Sequence, residues 1–112
     1  MKDNEQLDKL IGSLKIEKKG FWKKVAYELA KPRRSRIEVN LSKLDVYAND
    51  GTTLLVPGKV LGAGNLTKKI TVAAFSFSTN ARKLIEASGG KAITISELLM
   101  SNKDGKDVVI LK

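Results

Sequence analysis

From Thr52 onward, short β-rich segments alternate with short helical segments in the order β, β, α, β, α, β. The predicted strands span residues 52–56, 69–77, 92–95 and 107–111. Parallel strands need crossover connections, which helices commonly supply, so this order predicts an α/β fold. At 112 residues the chain has room for a single small domain with one hydrophobic core.

Two amphipathic helices are predicted before this region. The first follows a cap at Asp3 or Asn4, and its apolar residues recur at helical spacing: Leu7, Leu10, Ile11 and Leu14. The second has a similar stripe and ends before Pro32: Trp22, Val25, Ala26 and Leu29. Because Trp22 lies on this stripe, we assign it to the core rather than to stacking on a nucleic-acid base.

Shorter signals punctuate the rest of the chain. Residues 37–41 alternate like a half-buried strand, and the spacing of Ser42 and Asp45 predicts a capping box before a short helix at residues 44–48. Ser78 or Thr79 begins another helix, with Ala81, Leu84 and Ile85 pointing inward and Gly89-Gly90 ending it. Ser96 is the predicted cap of the helix that follows.

Net charge is the anomalous feature of the composition. Lysine and arginine number 21 against 12 acidic residues, which gives +9. Residues 15–36 carry a net +7, and residues 51–85 carry five basic side chains with no acidic one. Such one-signed zones predict a polyanionic partner.

The phosphate-binding residues predicted from the first basic zone are Lys18, Lys19, Lys23, Lys24, Lys31, Arg33, Arg34 and Arg36. Arginine suits phosphate because its guanidinium offers a planar fork of donors. The alternative, a solvated linker, is the usual explanation for one isolated basic run. The neighbouring acid-free zone favours phosphate binding here.

A glycine-rich stretch at residues 56–65 interrupts the β-rich region, with a turn predicted from Gly58 to Asn65. It matches neither the phosphate-binding P-loop nor the dinucleotide fingerprint. Two interpretations stay open: a tight turn between strands, or a loop in which Gly62 and Gly64 let the backbone approach phosphates while Lys59, Lys68 and Lys69 add charge. Both can hold together. With few aromatic residues, recognition is expected to depend on shape and backbone rather than on base stacking.

The composition also excludes several function classes. Without cysteine or histidine there is no thiol nucleophile, disulfide, imidazole chemistry or usual zinc site. No pair of remaining side chains has a spacing typical of a catalytic site, so we expect no enzyme activity and no cofactor. The longest charge-free run, residues 70–81, is too short for a membrane helix, and we expect an intracellular, soluble chain.

Five ordered segments carry a family resemblance: residues 21–26 (FWKKVA), 29–36 (LAKPRRSR), 39–44 (VNLSKL), 56–64 (VPGKVLGAG), and 72–75 with 77–78 (VAAF, FS). Together they resemble the L-eighteen-e family of large-subunit ribosomal proteins, the archaeal and eukaryotic relatives of bacterial ribosomal protein L-fifteen. The compact length looks archaeal.

The resemblance implies a structural protein of the cytoplasmic large ribosomal subunit. It implies one domain over residues 1–112, with an N-terminal helical basic portion (1–36) laid along large-subunit ribosomal RNA and an α/β body (37–112) of irregular β-β-α superhelical turns. The implied partners are that RNA and neighbouring large-subunit ribosomal proteins, with no membrane and no small-molecule substrate. The alternative is a basic protein-interaction module that docks an acidic partner without RNA.

Overall fold

A sheet of five parallel strands lies at the centre of the computed structural model, which describes residues 2–17, 19–31, 37–103, 105 and 107–111. The strands are β1 (Ile37–Asn40), β2 (Thr53–Leu61), β3 (Thr71–Phe77), β4 (Lys91–Thr94) and β5 (Val108–Ile110). The helices are α1 (Lys2–Lys15), α2 (Gly20–Ala30), α3 (Leu41–Tyr47), α4 (Thr79–Ala87) and α5 (Ile95–Ser101). The prediction of an α/β fold is confirmed.

β2 is the central strand, and one of its edges is shared by two partners. β3 pairs with β2 along one edge, and β4 continues the sheet beyond β3. On the other edge, β5 pairs with residues 53–55 and β1 with residues 58–61. Pro57 lies where the partner changes, and the register with β3 also shifts there. A proline has no N–H to donate, so it is tolerated at such an irregularity.

Gly58 allows β1 to approach β2 closely. A Cβ at this position would lie 2.0 Å from the carbonyl oxygen of Ile37. The prediction that β2 ends at Val56 and that a turn starts at Gly58 is therefore wrong, since the strand continues to Leu61. Proline and glycine usually mark turns, but here they accommodate the change of partner within one strand.

Successive side chains of β2 point to opposite faces of the sheet, and each face has its own core. Leu54 and Val56 pack against α3 and α4, together with Leu44 and Ile85. Leu55 faces the other side, where α1, α2 and α5 pack with Ala73 of β3. Helices therefore cover both faces of the sheet.

The predicted apolar stripes of the first two helices are confirmed. Leu14, Trp22, Val25, Ala26 and Leu29 are fully buried, or nearly so, on the second face. Leu7, Leu10 and Ile11 are partly buried against the same cluster. The two N-terminal helices thus share a core with the sheet.

Some helix ends and inward-facing residues agree with the sequence predictions, and others do not. Ser78 caps α4 by accepting from Ala81 N, and Gly89, at φ +89, follows its end as predicted. Ala81 and Ile85 are buried, but Leu84 is 36% exposed, so its inward placement was wrong.

Two predicted caps are corrected. α3 begins directly after β1, at Leu41, and Asn40 at its N-cap makes no side-chain cap bond. Asp45 instead accepts from Thr67, outside the helix. α5 begins at Ile95 and is capped by Thr94 rather than Ser96. Among the described residues, no helix is long and apolar enough to cross a membrane.

Candidate nucleic-acid interface

One side of α2 is exposed and mostly basic. Lys23, Lys24 and Tyr27 are exposed, and Lys31 is half-buried. All four lie on the side opposite the buried stripe, with Tyr27 about one helical turn from the lysines on either side of it. We call these four residues the α2 outer face. Lys19, exposed, immediately precedes the helix. The periodicity that buries Trp22 and Leu29 therefore also concentrates positive charge on the outside.

The acidic residue of α2 is turned inward. Glu28 is only 8% exposed, and its Oε1 accepts from Lys31 Nζ at 3.1 Å. The same Nζ lies 5.5 Å from the centre of the Tyr27 ring, within the range of a cation–π contact. Lys31 is therefore engaged within the protein, whereas Lys23 and Lys24 extend from the helix as exposed cations.

Trp22 anchors α2 to the body of the domain, as its assignment to the core predicted. The side chain is fully buried, its indole Nε1 donates to the Lys103 carbonyl oxygen at 2.7 Å, and its ring meets Phe21 edge-on at 4.8 Å. These contacts fix the orientation of the helix and therefore the direction of its outer face.

The second basic zone is free of acids in the sequence but not in space. Lys59 pairs in register with Glu38 of β1. Lys68 Nζ donates to the main-chain carbonyl of Asp45, and Lys69 donates its backbone N–H to Asp50 Oδ1 at 2.9 Å. The fold thus returns acidic residues from the preceding segment to the neighbourhood of all three lysines, and the local charge is lower than the sequence suggests.

Asp45 connects α3 to the loop between β2 and β3. Its carboxylate accepts from the backbone N–H of Thr67 at 2.8 Å and from the Thr67 hydroxyl at 2.9 Å. The hydrogen bond from the Thr67 backbone, with help from the Thr67 hydroxyl and the positive charge of Lys68, lowers the pKa of Asp45 below its ordinary value. The carboxylate is therefore a structural acceptor.

Gly62 and Gly64 make close contacts within the domain. A Cβ on Gly62 would lie 2.8 Å from Ala81 N, at the start of α4, and the Gly62 carbonyl accepts from Asn80 Nδ2 at 3.1 Å. Gly64 has φ +88, and a Cβ there would lie 2.6 Å from Ser42 Cβ. Internal packing therefore accounts for both glycines, and their predicted contact with RNA stays a prediction.

Part of the predicted site lies outside the described residues. These positions are Lys18, Arg33, Arg34 and Arg36. Their assignment to phosphate binding stays a prediction. Lys31 and Ile37, on either side of the arginine run, connect it to the end of α2 and the start of β1.

Three further candidate RNA-binding residues were not predicted from the sequence. Tyr27 is 67% exposed on the α2 outer face. Its spacing from Lys23 and Lys31, four residues on each side, was the available signal. Arg82 and Lys83 are exposed on α4, with the Arg82 guanidinium 5.2 Å from the centre of the Phe77 ring. They entered the charge count, but no motif distinguished them.

A cavity of about 350 Å³ lies between α1 and the carboxyl ends of β3 and β4. Its polar side chains are Lys9, Ser13, Thr94 and Ser96, and the remainder of the lining is apolar. This lining does not pair an acid with a base. Among the described residues, no group of acidic side chains is arranged to hold a metal ion.

Comparison with known proteins points to one family. A family model described as ribosomal protein 60S L18 and 50S L18e matches residues 13–112. Curated proteins named large ribosomal subunit protein eL18 are similar over nearly the whole chain. The Methanococcus maripaludis protein is 50% identical, covering 99% of this chain and 96% of its own length. The Sulfurisphaera tokodaii protein is 46% identical, covering 97% and 92%, and the Halobacterium salinarum protein 41%, covering 99% and 98%.

Proposed function

Because the chain belongs to the family of ribosomal proteins 60S L18 and 50S L18e, we propose that it is a structural constituent of the large ribosomal subunit that binds large-subunit ribosomal RNA. Its family agrees with the expectation that it is not an enzyme. The relatives named as large-subunit proteins support a place in the cytoplasmic ribosome, beside neighbouring large-subunit proteins.

The α2 outer face is the observation that carries the RNA-binding proposal. Lys23 and Lys24 are exposed there, and Lys19 is exposed just before the helix, while Glu28 is buried and accepts from Lys31. A rigid row of cations without exposed counter-charge attracts the phosphate backbone, and it releases condensed counterions when it binds. In the proposal, Arg33, Arg34 and Arg36 also bind phosphates, because each guanidinium group can donate two parallel hydrogen bonds to a phosphate.

The glycine-rich loop is the second part of the proposed interface. Ala63, Gly64 and Asn65 are exposed in the loop that follows β2, and Lys59 and Lys69 are exposed nearby in the sequence. In the proposal, this loop presents backbone N–H groups to RNA at Gly62 and Gly64 while Lys59, Lys68 and Lys69 supply charge. The nearby acids make this part electrostatically weaker than the α2 outer face.

The family resemblance carries two finer proposals about architecture. The strands and helices of residues 37–112 would form irregular β-β-α superhelical turns, and residues 1–36 would form the RNA-facing portion of a single domain. The shared core of α1, α2 and the sheet supports the single domain.

The competing function is a protein-interaction module that docks an acidic partner without RNA. Sedimentation separates the two functions. Large subunits washed at low salt should retain one copy of the chain if it is a constituent of the subunit. Loss of the chain from washed subunits, with recovery on an acidic protein, would favour the alternative.

A salt titration tests the mechanism of RNA binding. If six to ten phosphates are neutralised, the affinity for large-subunit ribosomal RNA should fall on the order of 10³- to 10⁵-fold between 50 and 200 mM salt. The double variant Lys23→Gln/Lys24→Gln should reduce the slope of log affinity against log salt by about 2, since each lysine contributes about one phosphate contact.

The matched control is Lys9→Gln/Lys91→Gln, which removes two exposed lysines outside the α2 outer face. It should keep the wild-type slope. Weak salt dependence of the wild-type protein, or an equal loss in both double variants, would contradict binding through the α2 outer face.

A further inference from the structure

Tyr27 is an exposed aromatic side chain at the centre of a basic surface. It is 67% exposed, Lys23 and Lys24 precede it by about one helical turn, and Lys31 follows it by about one turn. Because it lies opposite the buried stripe of α2, it contributes little to the core. The ring is therefore available for a contact outside the domain, and its basic surroundings distinguish it from Tyr47, which is also exposed.

The ring is held in place before any partner arrives. Glu28, nearly buried, accepts from Lys31 Nζ at 3.1 Å, and that ammonium lies 5.5 Å from the centre of the Tyr27 ring. The buried carboxylate positions the lysine, and the lysine in turn restrains the tyrosine from one side. A ring that is already ordered loses less conformational entropy when it binds.

The surroundings select the kind of partner. An aromatic ring beside exposed lysines can meet both parts of a single-stranded nucleotide. The ring stacks on the base while the ammonium groups of Lys23 and Lys24 contact a neighbouring phosphate. A protein that bound the same surface would have to place acidic side chains against Lys23 and Lys24. A polyanion already carries that charge.

We infer that Tyr27 stacks on an unpaired nucleobase of the bound RNA, with Lys31 and Glu28 positioning its ring. The inference rests on the proposed RNA-binding function and adds an unpaired base to what the α2 outer face recognises. It also departs from the expectation that recognition depends on shape and backbone rather than on base stacking.

The test compares three variants in titrations with large-subunit ribosomal RNA. Tyr27→Ala should weaken binding about 5- to 150-fold, the range expected for loss of one base–aromatic stack. Tyr27→Phe keeps the ring and should bind like the wild type. Tyr47→Ala is the matched control, because Tyr47 is also a tyrosine on a helix surface and is 60% exposed. It should have no effect.

The salt dependence distinguishes stacking from a change in charge or fold. Tyr27→Ala removes no charge, so its log–log salt slope should equal that of the wild type, unlike that of Lys23→Gln/Lys24→Gln. Fluorescence of the buried Trp22, under the same helix, should be unchanged in Tyr27→Ala and reports that α2 stays docked.

Two outcomes would overturn the inference while leaving the proposed function intact: wild-type RNA affinity of Tyr27→Ala, and equal weakening by Tyr27→Phe. If Tyr27→Ala binds RNA normally but is lost from assembled subunits, the contact of Tyr27 is a protein neighbour. Absence of RNA binding by the wild-type chain would instead contradict the proposed function itself.

Discussion

Gly62 and Gly64, in the glycine-rich stretch, pack against residues that are distant in the chain. The sequence predicts that residues 56–65 need unusual backbone freedom, and Gly64 confirms it with φ +88. The sequence does not identify what the glycines approach. Ser42 and Ala81 lie about twenty residues away on α3 and α4, and only the folded chain brings them to Gly64 and Gly62.

Replacing Gly64 should therefore destabilise the isolated domain as well as affect any RNA contact. Gly64→Ala combines a strained backbone with a contact against Ser42, and we expect the free energy of unfolding to fall by about 2–4 kcal/mol. Gly51→Ala is the matched control, since Gly51 has φ +84 but open space where the Cβ would lie.

The free energy of unfolding of Gly51→Ala should fall by only about 1 kcal/mol. Urea denaturation of both variants provides the comparison. Equal losses would show that backbone conformation alone explains Gly64, and that the close approach to α3 adds nothing.

Secondary-structure elements were predictable where periodicity marks them and less so at their ends. The apolar stripe of α2 fixed both its buried side and, by exclusion, its basic side. The end of β2 was misplaced because Pro57 and Gly58 look like a turn, whereas they lie at the junction of two strands that share one edge. Proline and glycine indicate that the backbone is irregular at this point, but they do not indicate which neighbouring strands make it so.

The beginning of α5 gives a prediction at this scale. Thr94 Oγ1 accepts from Glu97 N at 3.0 Å, and Glu97 Oε1 accepts in return from Thr94 N at 3.3 Å. Thr94→Ala should lower the free energy of unfolding by about 1 kcal/mol because it removes this capping box. Ser96→Ala, at the position that the sequence favoured, should be nearly neutral.

Thermal or urea denaturation of the two variants checks the assignment. A larger loss in Ser96→Ala than in Thr94→Ala would restore the cap to the position expected from the sequence. The two substitutions are both exposed, so differences in burial do not confound the comparison.

At the scale of the whole molecule, charge is rearranged by folding. The sequence correctly indicates an excess of positive charge, but its acid-free zone acquires Glu38, Asp45 and Asp50 as spatial neighbours. Linear charge counts cannot anticipate this, because parallel pairing returns the chain to the same place after twenty residues. The α2 outer face keeps its excess because its acid is buried.

Asp45 makes the stability of the domain depend on pH. Its pKa is lower in the folded chain than the ordinary value of 3.8. The Asp45 carboxylate therefore takes up a proton more readily in the unfolded chain than in the folded one. Its contribution to the free energy of unfolding is fully present above pH 3.8 and is lost as the pH falls through the folded pKa. Asp45→Asn should have a smaller decline in unfolding free energy over the acid range.

Urea denaturation at a series of pH values, from neutral to acid, measures this dependence. Asp8→Asn, which changes an exposed carboxylate on α1, should keep the wild-type decline. An unchanged decline in Asp45→Asn would show that the Thr67 hydrogen bonds do not contribute to the acid sensitivity.

The pairing of β5 with β2 also sets the order in which the domain can be completed during synthesis. Residues 108–110 form a ladder with residues 53–55, and Trp22 reaches across to Lys103. Contacts of such long sequence separation close late, because the loop entropy must be overcome first. While residue 103 of a nascent chain is still inside the exit tunnel, the Trp22 indole cannot donate to the Lys103 carbonyl. This contact between α2 and the segment before β5 therefore forms only after the segment has left the tunnel.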